Sequence, residues 1–185
     1  MKFFSGTHYR QCLGLVLALP LAAATVRIVQ TNSAGDNVDL IDPATNKIVG
    51  VIKGIEVNHG AAVAPDGSHY YISNEAESTL DVVDPKTLQV TRNIPLSGHP
   101  NNIGISKDGA RVYVSIAVAP GAVDVIDTAS LQKVKSIPVK GAVHNTYVTP
   151  DGKYVVSGSI QSKTITVIIF PAMEPVTTNL PSGVT

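Results

Sequence analysis

The 185-residue chain has a single cysteine and no excess of charge of either sign. Basic and acidic residues number 14 each, and no run of lysine or arginine is present, which disfavours nucleic acid as a partner. The chain also lacks a G-x-S-x-G sequence, a C-x-x-C-H sequence and a phosphate-binding glycine loop. These absences exclude the motif-based forms of a hydrolase nucleophile, of covalent haem attachment and of nucleotide binding.

Residues 1–24 predict a secretory signal peptide. Lys2 and Arg10 form a basic start, residues 12–21 form a mostly apolar run, and three alanines then supply a small-residue cleavage site. The run is shorter than the ~20 apolar residues of a membrane span, which disfavours an uncleaved anchor. Cleavage removes the only cysteine and leaves 12 basic against 14 acidic residues, a net charge of −2. We therefore expect an exported protein, periplasmic or extracellular, with no disulfide and no transmembrane segment after cleavage.

Two turn sequences recur with one period. The Asp-Gly pair beginning at Asp66 returns at Asp108 and Asp151, with offsets of 42 and 43 residues. A second landmark follows the same offsets: the corner aspartates are Asp42, Asp84 and Asp127. A period in the low forties with about four short strands per unit is typical of β-propeller blades. The sequence therefore predicts an all-β propeller built from four-stranded antiparallel blades.

Each repeat contains an apolar run, an Asp-Gly turn, a second apolar run, an alternating run closed by the corner aspartate, and an outer strand. The repeats are expected to occupy 25–185, as a partial blade 26–54 and blades 55–97, 98–140 and 141–185. This gives 15 strands, or about 3.75 blades. The last unit departs from the pattern because Ile169-Phe170 replaces the corner aspartate and Pro171 follows.

A count below four blades leaves the ring incomplete. We expect either a fragment of a longer propeller, which we favour, or a chain that completes its ring by self-association. A truncated product would expose edge strands at 164–169 and aggregate.

The repeats resemble a known family. Residues 71–74 (Tyr-Ile-Ser-Asn) and 113–116 (Tyr-Val-Ser-Ile), each followed by an alternating run that ends at the corner aspartate, resemble the YVTN-type β-propeller repeat. The resemblance covers residues 26 to about 168. It implies an exported bacterial propeller, often of about seven blades, and the repeats are similar also to the d1-haem domain of nitrite reductase, to the propeller of nitrous oxide reductase and to lactonase-type propellers.

Histidines recur just before the first strand of a unit. His59 and His144 each lie six residues before the proline of a Pro-Asp-Gly turn. Asn101 occupies the equivalent place in the middle unit, and His99 lies two residues earlier. Because the innermost strand of each blade lines the propeller channel, we expect these side chains to converge at one channel mouth.

Polar neighbours extend the candidate ligand site. Its predicted members are His59, His99, Asn101, Asn102, His144, Asn145 and Tyr147. The three histidines His59, His99 and His144 are the candidate ligands of a transition metal or a haem iron, since neutral imidazole binds both. The alternative is structural: a histidine at a loop-to-strand junction can hydrogen-bond the backbone of the next blade, and no short ligand spacing such as H-E-x-x-H is present.

The sequence leaves two functions open. The first is an exported, non-enzymatic propeller that presents its blade loops and channel mouth to an unknown protein or small molecule, as a binding or scaffold module. The second is an oxidoreductase-like or lactonase-like domain whose channel histidines hold a metal or haem. The first is favoured because only the repeats are clear.

Overall fold

The computed structural model describes residues 26–180, and the only regular elements among them are β-strands. The strands are β1 Ile28–Thr31, β2 Asn37–Asp42, β3 Lys47–Lys53, β4 Asn58–Val63, β5 Tyr70–Asn74, β6 Thr79–Val83, β7 Val90–Pro95, β8 Pro100–Ile105, β9 Arg111–Ile116, β10 Ala122–Asp127, β11 Gln132–Pro138, β12 Val143–Val148, β13 Tyr154–Ser159, β14 Thr164–Ile169 and β15 Glu174–Asn179. The predicted signal peptide lies outside the described residues. Within 26–180 there is no helix long and apolar enough to cross a membrane.

The strands form four antiparallel sheets. Sheet 1 contains β1–β3, sheet 2 contains β4–β7, sheet 3 contains β8–β11 and sheet 4 contains β12–β15, and in each sheet the strands follow their order in the chain. This confirms the predicted all-β architecture, a partial propeller of about 3.75 blades.

The sheets stack in chain order through their first strands. Contacts between sheets join β1 to β4, β4 to β8, and β8 to β12. No comparable contact joins sheet 1 to sheet 4 within residues 26–180. The described part of the chain is therefore an open stack of four sheets.

Three apolar layers fill the spaces between consecutive sheets. Because side chains alternate across a strand, neighbours such as Tyr71 and Ile72 point to opposite faces of sheet 2. Tyr71 is 2% exposed and lies in the layer against sheet 3, whereas Ile72 is fully buried in the layer against sheet 1. Sheet 3 repeats this arrangement with Tyr113, which lies against sheet 4, and Val114, which lies against sheet 2. Each middle sheet is thus apolar on both faces.

The corner aspartates stabilise their turns by accepting backbone hydrogen bonds. The Asp84 carboxylate accepts the backbone N–H groups of Thr87 and Lys86, both at 2.8 Å, and these bonds lower the pKa of Asp84. The same turn in sheet 2 is closed by a backbone bond from the Leu88 N–H to the Asp84 carbonyl, at 2.9 Å. The fourth corner keeps this closing backbone bond without an aspartate. Met173 donates its backbone N–H to the Ile169 carbonyl at 2.8 Å, and its φ of 56° nearly matches the 58° of Leu88 in sheet 2. The departure seen in the sequence therefore removes a side-chain bond but not the turn.

A buried aspartate in the third strand of sheets 2 and 3 was not singled out by the sequence analysis. Asp81 is 1% exposed and accepts hydrogen bonds from Thr79, Asn93 and Asn74 within its own sheet. Asp124, which is fully buried, accepts bonds from the backbone N–H and the hydroxyl of Ser97. A buried carboxylate is tolerated only when hydrogen-bonded in this way.

Glycine lets neighbouring first strands approach closely. A Cβ atom on Gly60 of β4 would lie 2.7 Å from both the carbonyl oxygen of Asn101 and the backbone nitrogen of Ile103 in β8. Both contacts are with backbone, which cannot rotate away. Gly60 therefore sets the spacing of sheets 2 and 3.

We predict that Gly60→Ala lowers the free energy of unfolding by about 1–3 kcal/mol, because the added methyl group overpacks the contact between sheets 2 and 3. Urea unfolding measures the change. The matched control is Gly158→Ala, where the new Cβ has no atom within 4 Å. The control should change stability by less than about 0.5 kcal/mol. Equal stability of the two variants would contradict the close approach.

Asn58 joins sheets 1 and 2 at the start of β4. Its side chain is fully buried, and its Oδ1 accepts the backbone N–H of Asn32 at 2.7 Å. Its Nδ2 donates to the carbonyls of Asn37, at 3.1 Å, and of Ile55, at 2.6 Å. The three bonds, one buried and two part-buried, give partners to one backbone N–H group and two backbone carbonyls at the boundary between the two sheets.

We predict that Asn58→Ala destabilises the protein by at least ~2 kcal/mol, because it leaves buried backbone groups without partners. Hydrogen exchange should show the loss first in sheet 1, at the Asn32 amide. The control is Asn179→Ala, at the exposed end of β15. Unchanged exchange in sheet 1 of the Asn58 variant would show that this network does not hold the sheet.

Candidate functional site

The candidate site lies where the innermost strands of sheets 2, 3 and 4 begin. β4, β8 and β12 are neighbours in the stack, and we call their starting ends the channel mouth. The channel mouth brings together the beginnings of three strands, and consecutive beginnings are 42 and 43 residues apart in sequence. The repeat therefore presents three copies of one position, which is histidine in sheets 2 and 4 and asparagine in sheet 3.

A β-bulge marks that position in every complete sheet. The register between β4 and β5 shifts between Asn58 and Ala61, that between β8 and β9 shifts between Pro100 and Ile103, and that between β12 and β13 shifts between Val143 and Asn145. The residues inside the bulges include His59, Asn101, Asn102 and His144. A bulge bends the strand and redirects the side chains it contains. The predicted site residues therefore occupy the points at which the ladders are interrupted.

His59 and His99 come together through a carboxylate that the sequence analysis missed. Glu75 follows β5, and its Oε2 lies 2.7 Å from Nε2 of His59. Its Oε1 lies 3.7 Å from Nδ1 of His99, which belongs to the segment leading into sheet 3. Glu75 and His59 are each about one-third exposed, and His99 is 56% exposed. The three side chains form a solvent-accessible group across the boundary between two sheets.

This group contributes little to holding the fold together. Exposed ion pairs are worth ~0–1 kcal/mol because water screens them. The backbone nearby is secured by other bonds: the Thr31 hydroxyl donates to the His59 carbonyl at 2.9 Å, and Ala117 donates its N–H to the His99 carbonyl at 2.8 Å. The imidazoles of His59 and His99 are therefore held at the surface without being needed there for packing.

The residues predicted on sheet 4 form a separate cluster. His144 Nδ1 is hydrogen-bonded to the Asn145 side chain, and the Asn145 amide donates to the Tyr147 hydroxyl at 2.6 Å. Tyr147 is 57% exposed. No contact within hydrogen-bond or ion-pair distance joins His144 to Glu75 in residues 26–180. The structure thus brings His59 and His99 together and places His144 apart from them.

The two predicted asparagines of β8 lie between these clusters. Asn101 is 9% exposed, and its backbone lies against Gly60. The Asn102 side-chain oxygen accepts the backbone N–H of Thr146 at 3.5 Å, a long bond that links β8 to β12. Asn102 therefore acts in part as a link between sheets 3 and 4, in addition to its predicted place in the candidate ligand site.

A metal ion held by protein side chains alone requires several donor side chains in one place. Within residues 26–180, no group of three or more His, Cys, Asp or Glu side chains is arranged to hold a metal ion by itself. A haem iron requires fewer protein ligands, because the macrocycle supplies four and the protein only one or two. A metal-binding imidazole commonly has a carboxylate near its other ring nitrogen, and Glu75 lies 3.7 Å from Nδ1 of His99, an ion-pair distance longer than a hydrogen bond. The residues present fit a haem in this respect, since His99 is an exposed imidazole that would be able to ligate its iron.

An apolar groove of about 330 Å³ lies at the end of sheet 3 where β8 begins, one residue after His99, although His99 itself does not line it. Its walls include Ser97, Ile116, Val118, Ala119 and Pro120. Val118 is 37% exposed, and its side chain also approaches the backbone of Gly98, the residue before His99. The mouth therefore offers an apolar surface beside an exposed imidazole, a combination that suits a flat and largely apolar ligand.

Solved structures with this fold include enzymes of longer chain. The chain is similar to Kuenenia stuttgartiensis hydrazine synthase, with a TM-score of 0.73 and 27% identity over 83% of this chain and 46% of that one. It is also similar to the dihydro-heme d1 dehydrogenase NirN in complex with DHE, with a TM-score of 0.69 and 19% identity over 83% of this chain and 35% of that one. The second likeness concerns the fold alone. The chain spans less than half the length of either structure.

The sequence itself matches a family. No curated protein matches it significantly. The family model described as the cytochrome D1 heme domain matches residues 25–175, which is most of the chain. This match confirms the expected relation to the d1-haem propellers. The chain belongs to the cytochrome D1 heme domain family and is a propeller domain related to haem-binding proteins.

Proposed function

We propose that the chain binds a haem at the channel mouth, with His99 as the principal iron ligand and Glu75 holding the imidazole in place. The observation that carries the proposal is the sharing of one carboxylate by His59 and His99 across the boundary between sheets 2 and 3. Bound haem iron supplies a centre for electron transfer or for binding small ligands. The family match supports the choice of haem over other flat ligands.

The two histidines have different parts in this proposal. His99 is the more exposed, and its Nδ1 is the nitrogen that faces Glu75, so Nε2 is the nitrogen we assign to the iron. His59 uses its Nε2 for the shorter contact with Glu75, at 2.7 Å. That contact leaves His59 better suited to fix the carboxylate than to bind iron. Val118 and Ile116, which line the apolar groove, would offer apolar contacts to the haem.

We predict that the purified protein binds haem d1, and haemin as a second probe, with a shifted haem absorption band in titrations. His99→Ala should abolish the shift, because it removes the iron ligand. Glu75→Gln should weaken binding about 10-fold, as loss of a partner that orients a metal ligand commonly does. The control is His69→Ala, since His69 lies beyond the opposite end of β4. His144→Ala tests the separate cluster.

The outcomes distinguish the proposal from a structural role. Loss of the absorption shift in His99→Ala, with an unchanged far-ultraviolet spectrum, supports iron binding. Equal binding by wild type, His99→Ala and His69→Ala would overturn His99 as the ligand. A protein that binds neither probe would overturn the proposed function.

A binding or scaffold module remains the second candidate. The groove beside Pro120 favours it, because an exposed apolar groove can also take a peptide segment of a partner protein. In that case Val118→Asp would abolish partner binding, whereas His99→Ala would not. The haem proposal expects His99→Ala to have the larger effect on binding and Val118→Asp the smaller one.

We also propose that the protein is exported, on the strength of residues 1–24. The expected result is a protein recovered outside the cytoplasm whose N-terminal sequence begins at Thr25, after the alanine run. N-terminal sequencing of the fractionated protein measures this. A cytoplasmic protein that retains Met1 would contradict it.

A further inference from the structure

Sheet 4 presents an apolar face that has buried counterparts in the other sheets. Tyr71 pairs with Val82 in sheet 2, and Tyr113 pairs with Val125 in sheet 3. These four side chains are 0–2% exposed because the next sheet covers them. The corresponding pair in sheet 4 is Val156 with Val167.

In sheet 4 this pair belongs to a row that crosses all four strands. Tyr147 pairs with Val156, Val156 with Val167, and Val167 with Val176. Tyr147 is 57% exposed and Val176 is 55% exposed. Paired residues share a face of an antiparallel sheet. We call this row the sheet-4 face. It is opposite to the face that packs on sheet 3 through Val155 and Ile168.

Sheet 1 presents the complementary face. Ile28 pairs with Ile41, and Ile41 pairs with Ile48, so that the three isoleucines form a row across the sheet. Ile28 is 47% exposed and Ile48 is 58% exposed. We call this row the sheet-1 face. It is opposite to the face that packs on sheet 2 through Val38 and Leu40.

The repeat shows what covers a face of this kind. The period of 42 places Val83 of sheet 2 in the position of Ile41, and Val83 is fully buried against sheet 1. In the same way Ile126 of sheet 3 is fully buried against sheet 2. The contacts of sheet 1 with sheet 2, of sheet 2 with sheet 3 and of sheet 3 with sheet 4 are therefore alike. In each, a face that corresponds to the sheet-4 face packs on a face that corresponds to the sheet-1 face. Within residues 26–180 no sheet covers the sheet-1 face or the sheet-4 face, and the two faces correspond to the two halves of a fourth such contact.

We propose that a second copy of this chain forms that contact, the sheet-1 face of each copy packing on the sheet-4 face of the other. A head-to-tail contact closes into a ring when its rotations complete a turn. Two copies bring eight sheets, and propellers of four to eight blades are the usual range. The proposal does not depend on haem binding.

The test is the mass of the purified full chain in solution, measured by light scattering. Wild type should have twice the mass that mass spectrometry gives for the single chain in the same sample. Val176→Asp and Ile48→Asp should each reduce the mass to that of one chain, because each places a charge in both copies of the contact. The control is Val134→Asp. Val134, on β11 of sheet 3, is 52% exposed, close to the 55% of Val176, but lies on neither face.

Mixing the two variants tests the head-to-tail arrangement. A pair of one Ile48→Asp chain and one Val176→Asp chain retains one contact between unaltered faces, so the mixture should recover dimer that neither variant forms alone. A contact between two copies of the same face would show no such recovery.

Three results would overturn the proposal: a wild-type monomer, a Val176→Asp protein that remains dimeric, or masses that grow beyond the dimer with concentration. Loss of dimer in Val134→Asp as well would show that any added charge dissociates the chains, and would overturn the assignment of the contact to the two faces.

Discussion

The stack depends on one constraint, which is that the sheets carry apolar side chains on both faces. Removing apolar surface from water is the main favourable contribution to folding, and a sheet of this kind gains it fully only between two neighbours. The alternation of Tyr71 and Ile72 in sheet 2 shows this directly, since each is buried against a different sheet. The order of the sheets, the close approach at Gly60 and the two uncovered faces are consequences of that pattern. A sheet with one polar face would have ended the stack without an open contact.

Apolar stacking explains where the polar chemistry lies. Between the sheets a polar group is costly unless it is hydrogen-bonded, as Asp81, Asp124 and Asn58 are. Reactive side chains with spare hydrogen-bonding capacity are therefore confined to the strand ends. The bulges at the starts of β4, β8 and β12 use this freedom, because they interrupt the ladder at the point where His59 and His144 stand. The site and the core are thus separate parts of one repeat.

The repeat made the strands predictable, whereas contacts between units were harder to foresee. The period set by the Asp-Gly turns and the corner aspartates fixed the order of all 15 strands, and the apolar alternation indicated their faces. Glu75 was missed because it has no counterpart in the repeat pattern. Its position follows from antiparallel pairing, since Asn58 lies opposite Asn74 and the next residue must lie beside the start of β4. The buried aspartates left a signal in the sequence, an acidic residue amid apolar ones at the shared period. The turn at the fourth corner could not be predicted for a different reason. It is closed by a backbone bond from Met173, and a backbone bond leaves no signal in the sequence when the aspartate is absent.

The haem proposal and the assembly proposal use different surfaces, and the geometry makes them separable. The group of His59, Glu75 and His99 spans only the boundary between sheets 2 and 3, which is complete within one chain. Its donor atoms are therefore positioned whether or not the ring closes. Enclosure of the ligand does depend on whether the ring closes, because a ligand at the channel mouth is shielded from water only by the sheets that surround it. A closed ring would thus strengthen the electrostatic interactions around a bound ligand by lowering the local dielectric, without changing which residues bind it. Affinity for the iron is expected to reside in sheets 2 and 3, and protection of the ligand from solvent in the assembly.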